Sequence, residues 1–523
     1  MIRVRVRRMM RLKELFAGGR KERVIGGYRL RYSTAPKVSA GEVLKSYSVG
    51  RHVSVYLVRE DAEVRYYVDE PVPAPEVVKF YPVIMDHIAY NVTPPDTTDR
   101  GVLKNYVANA VMEAVEQIGL EPILKAQGVE VLKYYIVRDV VGYGVIDAMM
   151  RDPNVEEVSE LRPGDPVKVI HREVPDQLWI PTNVVIGDEA EMTEFVQRLA
   201  QKCGRYVSVA FPMIEAPTPE RHRLAAHIGE IGAPSFTIRK FPEEPFTITR
   251  LISFGTLTPL MAAYLWLVIE SQGFVFVIGV QGSGKTTTLN SLLSLAPPDW
   301  RITTIEDTPE LRLPHPNWDS LYTRKGYTIG SKLDIRLNDL GIYALRRRGQ
   351  IIAIGEVRGE EVQALVQAAA TGHGAACTFH ATSIEETVVR LRSPPMNVGP
   401  GFIALIWNVV LMRRVRLPGG VGRRMTKVWE ITGVKSGTVE YREVFTWDPR
   451  NDEFSPATAR TVVDKSVIMR RVAEYHGITK SEVRRELERR AAFLDDLARK
   501  EVFDWREFYG RVREFYATRP EGG

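Results

Sequence analysis

The sequence predicts an α/β fold in which a parallel sheet is covered by helices on both faces, preceded by an α+β domain and a basic tail. Two observations carry that prediction. From Pro245 to about Val434, apolar runs of strand length alternate with helical periodicities, the pattern of a sheet buried on both sides. Within that region Phe274-Val-Phe-Val-Ile278 leads into Gly279-Val-Gln-Gly-Ser-Gly-Lys285-Thr286, a phosphate-loop motif lying between strand and helix.

In chain order, residues 1 to about 35 carry Arg3, Arg5, Arg7, Arg8, Arg11, Lys13, Arg20, Lys21, Arg23, Arg29 and Arg31 against Glu14 and Glu22. Such a run reads as a solvated tail or as a dock for acidic lipid or an acidic partner. Two alternating runs between Val53 and Asp69 flank Glu60-Asp61 and predict a hairpin, which the Pro-rich stretch Glu70 to Pro82 then breaks. Helical periodicity from about Asp99 to Met150, then short strands to about Lys240, predict one α+β domain over 96–240, with 1–95 holding the tail and a small subdomain. Phe241-Pro-Glu-Glu-Pro245 opposes both helix and central strand, so 241–250 reads as a linker. The phosphate-loop core is expected at 251–434 and a helical region at 435–523, where Thr479-Lys-Ser-Glu482 is a capping box ahead of Val483, Leu487, Leu494 and Leu497.

Composition narrows the function classes. With 44% apolar and 26% charged residues over 523 positions, the chain is a globular protein long enough for two to four domains. The net charge of +6 is small for this length and concentrated at the start, which argues against nucleic acid as the partner. Cys203 and Cys377 are the only cysteines, so one chain supplies neither a disulfide framework nor a four-cysteine zinc site; a reducing, cytoplasmic setting is expected. The apolar stretches Leu260–Ile269 and Gly401–Met412 fall short of the roughly 20 residues of a membrane-spanning helix, leaving only peripheral membrane association.

The chemistry follows from the strand ends. Glycines let the loop backbone curl so that its N–H groups and the helix N-terminus face phosphates; Lys285 adds positive charge at the β/γ oxygens, and the Thr286 hydroxyl is placed for magnesium. Gly279, Gly282, Ser283, Gly284, Lys285, Thr286 and Thr287 are therefore the expected nucleotide ligands. Glu306-Asp307, Glu356 and His380 each follow a strand-like run and should converge with the loop at the carboxyl edge of the sheet. Water attack on a phosphoryl group needs a magnesium-holding group and a carboxylate that orients the water. Glu306, Asp307 and Glu356 are the carboxylates available, with Glu356 expected on the metal directly or through water. His380 and His373 are the histidines that could sense the γ-phosphate. Gly355 stands where a Walker B strand usually ends in aspartate.

The segments TIEDTPELRLPH (304–315), IIAIGEVRGEE (351–361) and TGHGAACTFHA (371–381) resemble the Asp box, atypical Walker B and His box of type II/IV secretion, type IV pilus and archaellum motor ATPases. GAPSFTIRKF (232–241) and YYIVRDVVGYGVIDAMMRDPNVEEVS (134–159) are similar to the archaeal branch. The resemblance covers about 130–515 and implies a RecA-like core, a flexible linker, and a homo-hexameric ring that couples Mg-ATP turnover to work on a polytopic membrane platform. It implies a cytoplasmic protein at the inner face of the membrane, held there through the platform or the tail. It also implies arginines acting across domain boundaries, with Arg239 as the catalytic candidate beside Arg223 and Lys240. A DNA-transfer ATPase and a nucleotide-gated, non-hydrolysing scaffold are the alternatives.

Overall fold

The computed structural model describes residues 30–518 apart from 35–40, 94, 98, 175, 243, 325–333 and 419. Most of the basic tail, Arg3 to Arg29, lies outside the described residues. The chain divides into two compact units, Met1–Glu215 with Leu224–Lys240, and Ala216–Arg223 with Phe241–Gly523.

The strands of the first region are β1 (Glu42–Val49), β2 (Val53–Glu60), β3 (Glu63–Asp69), β4 (Val155–Glu160), β5 (Pro166–His171), β6 (Ile180–Val185), β7 (Met213–Pro217), β8 (Arg223–His227) and β9 (Ser235–Arg239). They form a nine-stranded sheet in the order β1-β2-β3-β6-β5-β4-β9-β8-β7. The expected hairpin is β2–β3, with Glu60 opposite Glu63 and Asp61 in the left-handed region at the turn. Because β3 pairs with β6 through Tyr66 and Thr182, residues 42–69 share a sheet with 155–239, and the structure does not divide at residue 96.

The stretch Glu70–Pro82 ends the hairpin pattern as expected, β3 closing at Asp69, and within it a helix opens that the sequence reading did not foresee, Pro75–Asn91. Pro75 sits in the first turn, where its missing N–H has no partner to lose. Pro82 lies inside the helix, which is held by burial of Val77, Phe80, Ile84 and Ile88 against the helices Arg100–Ile118 and Glu121–Val140.

In the second unit, β10 (Phe274–Ile278), β11 (Ile302–Glu306), β12 (Trp318–Tyr322), β13 (Ile351–Val357), β14 (Gly374–Phe379), β15 (Ile406–Leu417), β16 (Gly420–Lys435), β17 (Thr438–Asp448) and β18 (Glu453–Ser455) form one sheet. Its order is β12-β11-β13-β14-β10-β15-β16-β17-β18. The pairs from β12 to β15 are parallel and those from β15 onward antiparallel. Every residue of β10 is buried. Val275 and Val277 join a core with the helices Pro259–Glu270 and Lys285–Leu293, while Phe274, Phe276 and Ile278 join another with the helix Val362–Ala370. This two-sided burial is the expected covered parallel sheet.

The region 435–523 is not purely helical: the end of β16, then β17 and β18, extend the same sheet, and the helices Ile468–His476, Lys480–Arg499 and Trp505–Ala517 share the core of Pro259–Glu270. The capping box forms as expected, Thr479 Oγ1 accepting from Glu482 N at 3.3 Å and Glu482 Oε2 from Thr479 N at 2.7 Å. The apolar stretch Leu260–Ile269 lies in a helix buried from Met261 to Glu270, and among the described residues no helix is long and apolar enough to cross a membrane.

Candidate nucleotide site

The phosphate loop connects β10 to the helix Lys285–Leu293. Gly279, at φ 153°, has no room for a side chain: a Cβ there would stand 2.4 Å from Met412 O and 2.6 Å from Ser283 Oγ. Gly284 is the N-cap of the helix, left-handed at φ 93°, and makes no side-chain cap, so the first-turn N–H groups are left for a ligand. Inside the loop, Lys285 Nζ, Ser283 Oγ and Ser283 N all donate to Val280 O, at 2.9, 2.8 and 3.3 Å. These donors converge on one oxygen, as they would on a phosphate oxygen. Burial holds the Lys285 ammonium below its ordinary pKa, while the charges of Glu356 and Glu310 push it back up.

The carboxylates divide by environment. Glu306 ends β11 at 2% exposure. Its Oε1 accepts from Glu310 N and Leu311 N, both at 3.0 Å, and among the described residues its Oε2 has no partner. Burial raises its pKa to about 8 against the pull of those two amides, so the carboxyl is largely protonated at neutral pH. Gly355 lies directly over it: a Cβ at 355 would approach Glu306 Cγ to 2.8 Å. The aspartate missing from the Walker B position is thus replaced by space that Glu306 fills from the neighbouring strand.

Glu356 has a different environment. Its Oε2 accepts from Arg358 Nη2 at 2.6 Å, and His380 Nε2 stands 2.8 Å from its Oε1. That approach is at ion-pair distance without hydrogen-bond geometry, so the buried Oε1 has no donor among the described residues. Burial raises the Glu356 pKa, but the Arg358 hydrogen bond and the charges of Arg358, His380 and Lys285 outweigh it and keep the carboxylate ionised. Burial and Lys285 hold His380 low, against the attraction of Glu356, which keeps the imidazole neutral near pH 7.

The structure therefore brings Lys285, Glu356 and His380 together, with Glu306 packed beside them and Thr286 and Thr287 half-buried in the first helical turn. Asp307 is exposed and accepts from Thr323 Oγ1 at 3.2 Å. His373 precedes β14 at its amino end, bonded to Thr371 Oγ1 at 3.0 Å. The sheet is parallel there, so His373 lies at the edge opposite the phosphate loop, and the γ-phosphate role considered for it is corrected on that ground. Arg239 belongs to the first unit, where it pairs with Glu157 at 3.6 Å, and Lys240 donates to the carbonyls of Met149 and Asp152. Arg223 falls in the segment Ala216–Arg223, in which Glu220 O accepts from Arg312 Nη2 at 2.9 Å and Arg221 lies over the Trp318 ring.

Sequence reading missed Glu310, Arg358 and Arg423. Arg358 was detectable, since a residue two beyond Glu356 on an extended segment shares its face. Glu310 reaches the field of Lys285 only because Glu306 grips the intervening turn, and Arg423, which donates to Gly282 O at 3.1 Å, is far away in sequence.

The type II/IV secretion system protein family matches residues 152–419, which is more than half of the chain. This protein belongs to that family. An uncharacterized protein of Methanocaldococcus jannaschii is 31% identical over 502 residues, spanning 91% of this chain and 89% of its own. The type IV secretion system protein VirB11 of Brucella suis is 32% identical over 179 residues, 32% of this chain and 50% of that one. Among solved structures, the VirB11 ATPase of Brucella suis in complex with sulphate is 27% identical, covering 54% of this chain and 91% of its own at a TM-score of 0.27. The pilus retraction motor PilT with bound ADP is 21% identical, covering 51% and 77% at 0.38.

As a member of this family the chain is a type II/IV secretion system protein, and its residues fit a nucleotide. The loop presents a buried cation and an uncapped helix N-terminus, and the donorless buried Oε1 of Glu356 suits a water or a metal-bound ligand.

Proposed function

We propose that this protein is a motor that hydrolyses Mg-ATP to drive protein secretion or the assembly of a type IV pilus- or archaellum-type filament. In this reading it works as a homo-hexameric ring at the cytoplasmic face of a polytopic membrane platform. The observation that carries the reading is the meeting of Lys285 with ionised Glu356 and neutral His380 at the carboxyl ends of β10, β13 and β14.

The roles follow from environment. Gly279, Gly282, Ser283, Gly284, Lys285, Thr286 and Thr287 hold the ATP phosphates. Thr286 and Glu356 would hold magnesium, Glu356 directly or through water, and the ion would supply neutralisation of phosphate charge. Glu356, ionised and with an Oε1 that has no hydrogen-bond donor among the described residues, orients the attacking water and takes its proton; Glu310 is the second carboxylate of the site. His380 donates toward the γ-phosphate.

Glu306, expected from sequence among the reacting groups, acts in this reading as a positioning residue, because a protonated carboxyl sealed at 2% exposure does not take a proton from water. Arg239 keeps the charge-neutralising role that the family resemblance implies, the kind of contribution that reaches roughly 10³ to 10⁵ in rate in phosphoryl transfer.

Mg-dependent phosphate release, measured across a range of protein concentrations with sedimentation in parallel, tests the reading. A specific rate that rises as a ring assembles supports it. Hydrolysis that is independent of concentration in a monomer refutes the shared-site motor, and DNA-stimulated hydrolysis with a steep salt dependence transfers the assignment to DNA handling.

A further inference from the structure

The hairpin β15–β16 runs past the end of β10. Ile278, the last residue of β10, pairs with Leu411, yet β15 continues to Leu417 and β16 starts at Gly420. The projecting part carries Arg413, Arg414, Arg416 and Arg423, all exposed, and it touches the phosphate loop at both ends. Met412 O lies 2.4 Å from where a Cβ of Gly279 would be, and Arg423 Cδ lies 3.1 Å from where a Cβ of Gly284 would be. Between them, Arg423 Nε donates to Gly282 O at 3.1 Å. The neighbouring Arg424 does something else: it is fixed to Asp452 by two bonds of 2.7 Å and to Phe254 O at 3.0 Å.

We propose that Arg423 is a positioning residue for nucleotide binding, acting through the Gly282 carbonyl to hold the phosphate loop in its anion-accepting shape. The chemistry lies in one peptide plane. The Gly282 C=O and the Ser283 N–H belong to the same trans unit and point in opposite directions. A cation on the outer carbonyl therefore turns the Ser283 N–H inward, where it already meets Val280 O together with Lys285 Nζ. A bond from a charged donor also polarises that unit and strengthens the inward N–H as a donor. The methylene stem lies against Gly284 and fills the outer side of the loop. Loop and hairpin thus form one body, and a displacement of the hairpin is felt as a change in phosphate affinity.

The inference rests on the phosphate-loop reading, so Lys285→Ala is measured alongside. The main variant is Arg423→Met, which keeps the stem and removes the donors; Arg423→Lys keeps a donor, and Arg416→Ala removes a like charge from the same hairpin. ADP binding to the full chain is followed by calorimetry, steady-state ATP hydrolysis by phosphate release, and exchange of the 279–287 amides by mass spectrometry without nucleotide.

Arg423→Met is expected to weaken ADP binding about tenfold, the scale of one bond from a charged donor, and to raise KM in step while kcat stays within about twofold. Loop amides should exchange faster, Arg423→Lys should recover most of the affinity, and Arg416→Ala should match the parent. Unchanged ADP affinity in Arg423→Met, or an equal loss in Arg416→Ala, overturns the proposal. If Lys285→Ala also binds ADP as the parent does, the nucleotide reading itself has failed.

Discussion

Replacing Glu306 with glutamine should make the protein more stable than the parent at pH 8 by a margin that shrinks toward pH 5. The parent carboxyl is 2% exposed, with a pKa raised from 4.5 to about 8. The difference, 8 − 4.5 = 3.5 units, corresponds to at most about 5 kcal/mol at about 1.4 kcal/mol per unit. The sign follows from linkage. Between pH 4.5 and 8 the folded state keeps the proton that the unfolded state releases, so stability is fully present below the lower value and is lost as pH rises through the window.

Glutamine does not titrate. Its carbonyl can still accept from Glu310 N and Leu311 N, and its amide fills the place of the unpartnered Oε2. Thermal melting at pH 5, 6.5 and 8 should show the variant's advantage growing by roughly 5 to 10 °C across the series, taking about half the upper bound and about 2 to 4 °C per kcal/mol. Turnover should fall by less than about tenfold. A melting difference that does not change with pH refutes the buried, protonated carboxyl. A hundredfold loss of turnover with normal melting would make Glu306 a reacting group instead of a positioning one.

Further outcomes follow from other residues. Gly355→Asp, which restores the usual Walker B residue, should destabilise the second unit by about 1–3 kcal/mol in urea unfolding, because its Cβ would lie 2.8 Å from Glu306 Cγ; a stable, more active variant contradicts the packing account. Glu310→Gln should lower kcat about ten- to a hundredfold while ADP affinity stays near the parent value in calorimetry. Arg490 is fully buried, ion-paired with Glu270 and stacked on Trp266. Arg490→Ala should therefore cost about 3–5 kcal/mol, read as a large fall in melting temperature without a matching change in KM.

The legible parts of the sequence were those fixed by short-range chemistry. The phosphate loop, the β2–β3 hairpin, the Thr479 capping box and the alternation of β10, β11, β13 and β14 with helices each follow from residues within a turn or two of one another. The misread parts depend on distant partners. The strands β17 and β18 exist because β16 offers an edge to extend, and the 435–455 segment alone does not reveal that edge. The helix at Pro75 is held by burial against residues 100–140, which outweighs the two prolines. Within the site, Glu356 and His380 followed from their positions at strand ends. Glu306, Asp307 and Glu356 could not be ranked by sequence: only the bonds from Glu310 N and Leu311 N to Glu306 Oε1 reveal that the Glu306 carboxyl holds the turn, while Asp307 is exposed.

Phosphate release by the full chain with saturating Mg-ATP, compared between the parent and Glu356→Gln with ADP affinity measured on both, tests the central claim most directly. Loss of turnover by about a hundredfold or more with ADP binding retained is the result expected if Glu356 is the carboxylate that directs the attacking water. Turnover near the parent rate, or a loss of turnover matched by an equal loss of ADP binding, would contradict it.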